Sequence, residues 1–299
     1  MRSLIIYFSQ TGFTRQAAEQ IREGILSTEN ECELIALRDV DVYSLLDYDL
    51  VGLGCPVHYY DATRNVSDFI ERLPELRDRH WFVFCTHGSV MGITLLTMSE
   101  RLQRKGAVVV GYYDMYADGR AAFAPYPTLT TGHPDAIDLE TAHAFGREVV
   151  ERTQAIADGD ESLIPEPAPV DEKWIRAAKS TTPELQHQII PRFEVDLERC
   201  TQCLECQNNC PVDGIDMETD PPRLQDPCIF CCYCVNVCPV CALDGDWTIM
   251  ESSNRPHYAA LRKALDKAEA QGTFRYLMDP DSLDFDDVLH KQWKRERMK

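Results

Sequence analysis

The sequence predicts an α/β protein: a doubly wound, five-stranded parallel sheet, then a small cysteine-dense α+β domain and a C-terminal helical extension. Three observations predict it. Short apolar runs alternate with amphipathic helical patterns up to residue 157. The stretch DGDESLIPEPAP at 158–169 breaks that alternation with three prolines. Beyond it, two cysteine runs between Cys200 and Cys238 repeat one spacing.

The strand candidates are Ser3–Phe8, Cys32–Leu37, Leu50–Gly54, Trp81–Cys85 and Ala107–Gly111. Each is a short apolar run, as expected of a strand buried on both faces. One helical face uses Ala17, Ala18, Ile21 and Ile25. A second uses Val66, Phe69, Ile70 and Leu73 and stops at Pro74. A third uses Leu95, Met98 and Leu102 and stops at Gly106. A fourth follows Asp138 with Leu139, Ala142, Phe145 and Val149. The segment after the second strand reads mostly as loop, with at most a vestigial helix. Strands alternating with helices in this way build an open parallel sheet. Prolines at 165, 167 and 169 then forbid a helix and stiffen the chain as a linker. A short helix is expected around Trp174–Ala178. Asn254-Arg-Pro-His is expected to open a last helix with Tyr258, Leu261, Leu265 and Ala268 on one face and Gly272 closing it. The domains expected are 1–160, a linker and connecting segment over 161–195, the cysteine block at 196–250 and the extension at 251–299.

The net charge is −19, and residues 196–250 carry 10 acidic against 2 basic side chains. This excludes a nucleic-acid partner, whose phosphates demand a basic face. It favours docking to basic patches on redox protein partners. The closing LHKQWKRERMK is basic and is expected to offer such a partner a docking point. No apolar run approaches the roughly 18–20 residues of a membrane helix, and none resembles a signal-peptide core. A cytoplasmic protein without a membrane span is expected, with the oligomeric state open and a homodimer conceivable.

Thirteen cysteines are present, nine of them between Cys200 and Cys238. Without a secretion signal they are better metal ligands than disulfide partners. The runs are Cys200-x2-Cys203-x2-Cys206-x3-Cys210-Pro and Cys228-x2-Cys231-x2-Cys234-x3-Cys238-Pro. This is the spacing of bacterial two-cluster ferredoxins, in which the fourth cysteine of each run ligates the other cluster. Cys200, Cys203, Cys206 and Cys238 are therefore expected on one [4Fe-4S] cluster. Cys228, Cys231, Cys234 and Cys210 are expected on the other. Zinc sites are built from paired C-x2-C arms and fit these runs badly. Cys232 is left over inside an x2 spacer, and Cys241 is a second spare thiol. Cys32, Cys55 and Cys85 are expected as small core residues.

At the amino terminus, Ser9-Gln10-Thr11-Gly12-Phe13-Thr14 joins a buried strand to a helix. Hydroxyls and backbone N–H groups there suit a phosphate, and equally an ordinary cap with a glycine turn. In such a sheet a ligand lies beyond the carboxyl ends of the strands. Strand three ends in Gly54-Cys-Pro56-Val57-His58-Tyr59-Tyr60. Strand four ends in Thr86-His87-Gly88-Ser89-Val90-Met91-Gly92. Three loops then converge on one mouth, which favours the ligand. His58, His87 and His133 are expected as loop histidines; His58 and His87 are expected to face solvent, with a proton relay as the alternative. No dinucleotide fingerprint, P-loop lysine or H-E-x-x-H motif is present.

On these motifs residues 1–157 resemble flavodoxin. The whole layout resembles the flavodoxin–ferredoxin fusion proteins of anaerobic bacteria and archaea. The resemblance implies FMN, with its phosphate on Ser9, Thr11, Gly12 and Thr14 and its ring between loops 56–60 and 86–92. It implies an electron-transfer flavoprotein linking a two-electron partner to a one-electron, low-potential partner. An FMN-dependent reductase of a quinone or other small oxidant, and a flavin-free docking or sensory module, are the alternatives.

Overall fold

The computed structural model describes residues 1–298, so Lys299 of the basic tail lies outside the described residues. The chain divides into two compact units. The first holds Met1–Asp118 and Gly132–Lys179. The second holds Gly119–Thr131 and the chain from Ser180 onward.

The first unit is an α/β sheet with strand order β2-β1-β3-β5-β6, all parallel. Its elements are β1 (Arg2–Tyr7), α1 (Phe13–Leu26), β2 (Glu31–Ala36), β3 (Leu50–His58), β4 (Asp61–Ala62), α2 (Arg64–Glu71), β5 (His80–His87), α3 (Thr94–Arg104), β6 (Val108–Tyr116) and α4 (Ala136–Ala157). This is the flavodoxin-like doubly wound order. Between β2 and β3 the chain makes only 3-10 turns at Leu37–Asp39 and Ser44–Asp47, the vestige expected there. Ile5, Ile21, Phe82, Phe84 and Val149 lie in one core on the α1/α4 side. Cys32, Cys55 and Cys85 are buried within the sheet, as expected.

Three strands run further at their carboxyl ends than their apolar runs suggest. β3 continues to His58, β5 to His87 and β6 to Tyr116. The reason is pairing. Pro56 sits opposite Thr86, and His87 opposite Tyr116, so the ladder carries polar residues past the apolar stretch. β4 then folds back on β3 as a hairpin whose tip is Tyr59 and Tyr60. Both tip residues are left-handed, with φ of 52° and 67°. A two-residue hairpin of this hand normally takes Asn-Gly.

The second unit contains α6 (Pro183–Ile189), β7 (Glu194–Val195), α7 (Glu205–Asn208), α8 (Tyr233–Val237), β8 (Leu243–Asp244), α9 (Thr248–Ala270) and α10 (Leu289–Arg297); α5 (Glu172–Ser180) precedes it. β7 and β8 pair antiparallel. Gly119–Thr131 belongs with the cysteine block, where Leu289 N–H donates to the Ala124 carbonyl and His290 N–H to that of Ala122. The expected linker ends its first-unit part at Lys179.

α9 begins six residues earlier than expected and keeps Pro256 inside it. Trp247 and Met250 are buried, so apolar burial extends the helix ahead of the proline. Asn254 is consequently no cap. It is buried, and its Nδ2 donates to the Phe123 carbonyl at 2.7 Å.

Candidate functional site

The amino-terminal loop enters α1 through Gly12, whose φ of 92° is left-handed and whose missing Cβ would meet only open space. No side chain caps the helix. Its opening N–H groups have no intrahelical acceptor. The Ser9 hydroxyl and Gln10 Nε2 are buried without a hydrogen-bond partner. Thr11 is exposed and Phe13 half-buried. Thr14 is turned inward, and its hydroxyl bonds that of Thr86 at 2.7 Å, joining the loop to the end of β5.

The β3 loop lies beside the β5 loop. The Ile93 N–H donates to the Tyr60 carbonyl at 2.8 Å. A Cβ at Gly92, whose φ is 59°, would lie 2.0 Å from that same carbonyl oxygen, so only glycine fits. The Tyr60 ring stacks on Trp174 of α5 with centroids 5.2 Å apart. Pro56, Val57, His58, Gly88 and Ser89 are half-buried around these loops. Desolvation pushes His58 down to about 4, which keeps its imidazole neutral at pH 7.

The histidines depart furthest from expectation. His87 is 5% exposed and His133 2% exposed. The extension of β5 buries His87, His133 is buried in the loop before α4, and each finds a carboxylate. His87 Nε2 lies 2.9 Å from Asp114 Oδ2, and His133 Nδ1 lies 2.6 Å from Asp138 Oδ2. The Tyr116 ring stands between them, with centroids 4.6 Å from His87 and 6.1 Å from His133. Burial alone would raise the Asp114 carboxyl, but the His87 contact outweighs it and holds it low. Burial and Asp114 push Tyr116 up to about 12. His87 Nδ1 is buried with no partner. Sequence reasoning missed Asp114, Tyr116 and Asp138. An Asp interrupting the apolar strand GYYDMY is the signal that marks the first.

In the second unit a period of 28 residues repeats backbone as well as sequence. Gln202 and Phe230, Leu204 and Cys232, and Asp213 and Cys241 are all left-handed, with φ of 50–61°. Leu204 and Cys232 are the N-caps of α7 and α8. Cys232 thus occupies the place of a leucine. It is 4% exposed, its thiol contacts the Phe230 carbonyl at 3.6 Å, and burial holds it protonated. One pocket is lined by Cys200, Cys203, Cys206 and Cys238, with Val195, Leu204, Val240 and Leu243 around them. Burial, and then the charges of Cys231, Cys232, Cys228 and Cys210, raise the Cys234 thiol. Backbone N–H groups face sulfur at corresponding places. Gly214 N lies 3.2 Å from Cys210 Sγ, and Ala242 N lies 3.1 Å from Cys238 Sγ.

A family model described as "Flavodoxin domain" matches residues 4–107. Another, "4Fe-4S dicluster domain", matches residues 192–239. A flavodoxin of Maridesulfovibrio salexigens is 32% identical over 126 residues, 37% of this chain and 82% of that protein. The chain belongs to the flavodoxin family. A flavodoxin of Clostridium beijerinckii is 29% identical over 109 residues, 36% of this chain and 79% of that protein. The structure of an archaeal flavodoxin covers 52% of this chain and 99% of its own, at 20% identity and a TM-score of 0.42. The protein therefore joins a flavodoxin domain to a 4Fe-4S dicluster domain on one polypeptide.

These domains imply FMN and two [4Fe-4S] clusters. The residues present fit both. In the flavodoxin domain, buried polar groups of Ser9, Gln10 and His87 lack partners at the carboxyl ends of β1 and β5. In the dicluster domain, four thiols line one pocket, and the repeated left-handed residues turn N–H groups toward cysteine sulfur. Among the described residues no helix is long and apolar enough to cross a membrane.

Proposed function

We propose that this protein relays electrons between FMN and two [4Fe-4S] clusters, linking a two-electron partner to a one-electron partner in anaerobic metabolism. The observation that carries it is the coexistence of the two sites on one chain. FMN, when bound, exchanges electrons in pairs or singly, and each cluster exchanges one at a time. The chain's own residues position and insulate. Ser9, Gln10 and the N–H groups opening α1 receive the phosphate. Thr11 and Thr14 complete the cradle, and the Thr14 hydroxyl is braced by that of Thr86. The Tyr59–Tyr60 tip and the His87–Gly92 loop bound the ring. Holding Tyr59 and Tyr60 left-handed costs roughly 1–3 kcal/mol each. Gly92 and Trp174 maintain Tyr60 against that cost.

Cys200, Cys203, Cys206 and Cys238 hold cluster one, and Cys228, Cys231, Cys234 and Cys210 hold cluster two. The pocket and the crossed neighbour sets support this assignment. The test is chemical analysis of anaerobically purified protein. About eight irons, matching sulfide and one FMN per chain are expected. Four irons or fewer, or no flavin, would refute the reading.

A specific observation favours a second reading. His87 and His133, each held by a carboxylate, are more than bare electron relay requires. They suit proton delivery to a small organic oxidant such as a quinone. Steady-state turnover with quinones, abolished in His87→Ala, would favour the reductase over the carrier.

A further inference from the structure

Several charges of the basic C-terminal segment are paired within the second unit. Lys291 Nζ pairs with Glu251 at 2.8 Å and His290 with the same carboxylate at 2.7 Å. Lys294 contacts Asp244, and Arg295 pairs with Asp287 at 2.5 Å. Leu289 and Val288 are buried. These contacts hold α10 in one place, and its last turn brings Arg297 to the backbone at Cys238, an expected ligand of cluster one. Arg297 Nη1 donates to the Cys238 carbonyl and Nη2 to the Asn236 carbonyl, both at 2.7 Å. A second cation reaches the same turn, because Arg199 Nη1 donates to the Cys241 carbonyl at 3.3 Å.

Cluster two has a different setting. Its ligands Cys210 and Cys228 bound the loop 211–227, which carries five acidic residues and one arginine. That arginine, Arg223, donates to the carbonyls of Asp213 and Asp226, two residues that themselves carry negative charge. A cluster becomes more negative on reduction. Positive charge beside it and hydrogen bonds to its ligating residues stabilise the reduced form, and negative charge opposes it.

We propose that Arg297 raises the reduction potential of cluster one above that of cluster two, so that an electron entering the pair rests on the cluster held by Cys200, Cys203, Cys206 and Cys238. This rests on the ligand assignment under Proposed function. It adds an order of filling and names the residue that sets it.

The experiment is a potentiometric titration of the full-length protein followed by electron paramagnetic resonance, for wild type, Arg297→Gln, Arg297→Lys and Asp213→Asn. Two separate reduction waves are expected in wild type. Arg297→Gln, which removes the charge but keeps a donor, should lower the upper wave and leave the lower one in place. Arg297→Lys should keep most of the separation. Asp213→Asn should raise only the lower wave. The Arg297 effect should persist at about 0.5 M salt, where charges beyond a few ångströms are screened but a direct hydrogen bond is not. In a protein with eight irons, an unchanged upper wave, equal movement of both waves or a shift of the lower one would overturn the proposal. Should Arg297→Gln lose iron, the Asp213→Asn titration decides by itself: a raised upper wave reverses the order and refutes it. A wild type without two four-iron clusters would instead refute the ligand assignment, which the iron analysis shows separately.

Discussion

Replacing Gly119–Thr131 with a Gly/Ser linker of equal length should unmake the dicluster domain, although the segment lies far from it in sequence. Five hydrogen bonds would go: Leu289 and His290 N–H to the Ala124 and Ala122 carbonyls, and the side-chain amides of Asn254, Gln292 and Asn236 to the carbonyls of Phe123, Tyr126 and Arg120. At about 1 kcal/mol each they amount to about 5 kcal/mol. Buried Asn254 loses the acceptor of its amide, at a further 1–3 kcal/mol or so. Loss of part of the cover over Val288 and Leu289 adds roughly 1–3 kcal/mol. The total, about 7–11 kcal/mol, rivals the whole stability of an ordinary domain, about 5–15 kcal/mol. The assay is iron content with timed trypsin digestion. The variant should lose iron and be cut quickly at Lys291, Lys294 and Arg295. The milder Asn254→Ala should keep its iron but melt several degrees lower, about 3–10 °C. A linker variant with eight irons, an unchanged melt and a protected C-terminal helix would refute the reasoning.

Cys232→Ser and Cys232→Leu should both keep about eight irons, because the first run carries leucine there; Cys231→Ser should lose a cluster. Iron loss in the Cys232 variants with tolerance at Cys231 would reverse the assignment. Ser9→Asp with Gln10→Glu should release FMN from a protein that keeps its clusters, since two carboxylates repel a phosphate; unchanged flavin content would move the cradle elsewhere. Acid should undock α10. Burial lowers His290, so its contribution is lost as pH falls below the ordinary histidine value near 6.5. Burial would raise Glu251, but Lys291 and His290 outweigh it and lower it, so its contribution is lost further down, below about pH 4.3. Trypsin sensitivity of α10 should therefore rise on acidification in two stages, and a flat profile from pH 7 to 4 would contradict this.

The sequence by itself determined the sheet and the cluster-binding character of the second unit. Both are local codes. Ile5, Leu53, Phe82 and Val109 announce strands because a strand covered on both faces must be apolar throughout. The doubled C-x2-C-x2-C-x3-C-P announces clusters because four thiolates must surround one cage. That the Ser9–Thr14 loop and the loops at 56–60 and 86–92 meet was legible for a related reason: they all follow the carboxyl ends of parallel strands. What only the tertiary structure decided depends on partners distant in the chain. His87 read as a loop histidine until β5 and β6 ran on in register and buried it against Asp114. Asn254 read as a helix cap until Phe123, 131 positions away, took its amide. That Lys291, Lys294 and Arg297 pair with Glu251, Asp244 and the Cys238 carbonyl was likewise invisible in a run of basic residues. In each case the residue type was plain but its partner was not. A polar group removed from water takes the nearest available partner, and which one is nearest is a property of the folded chain.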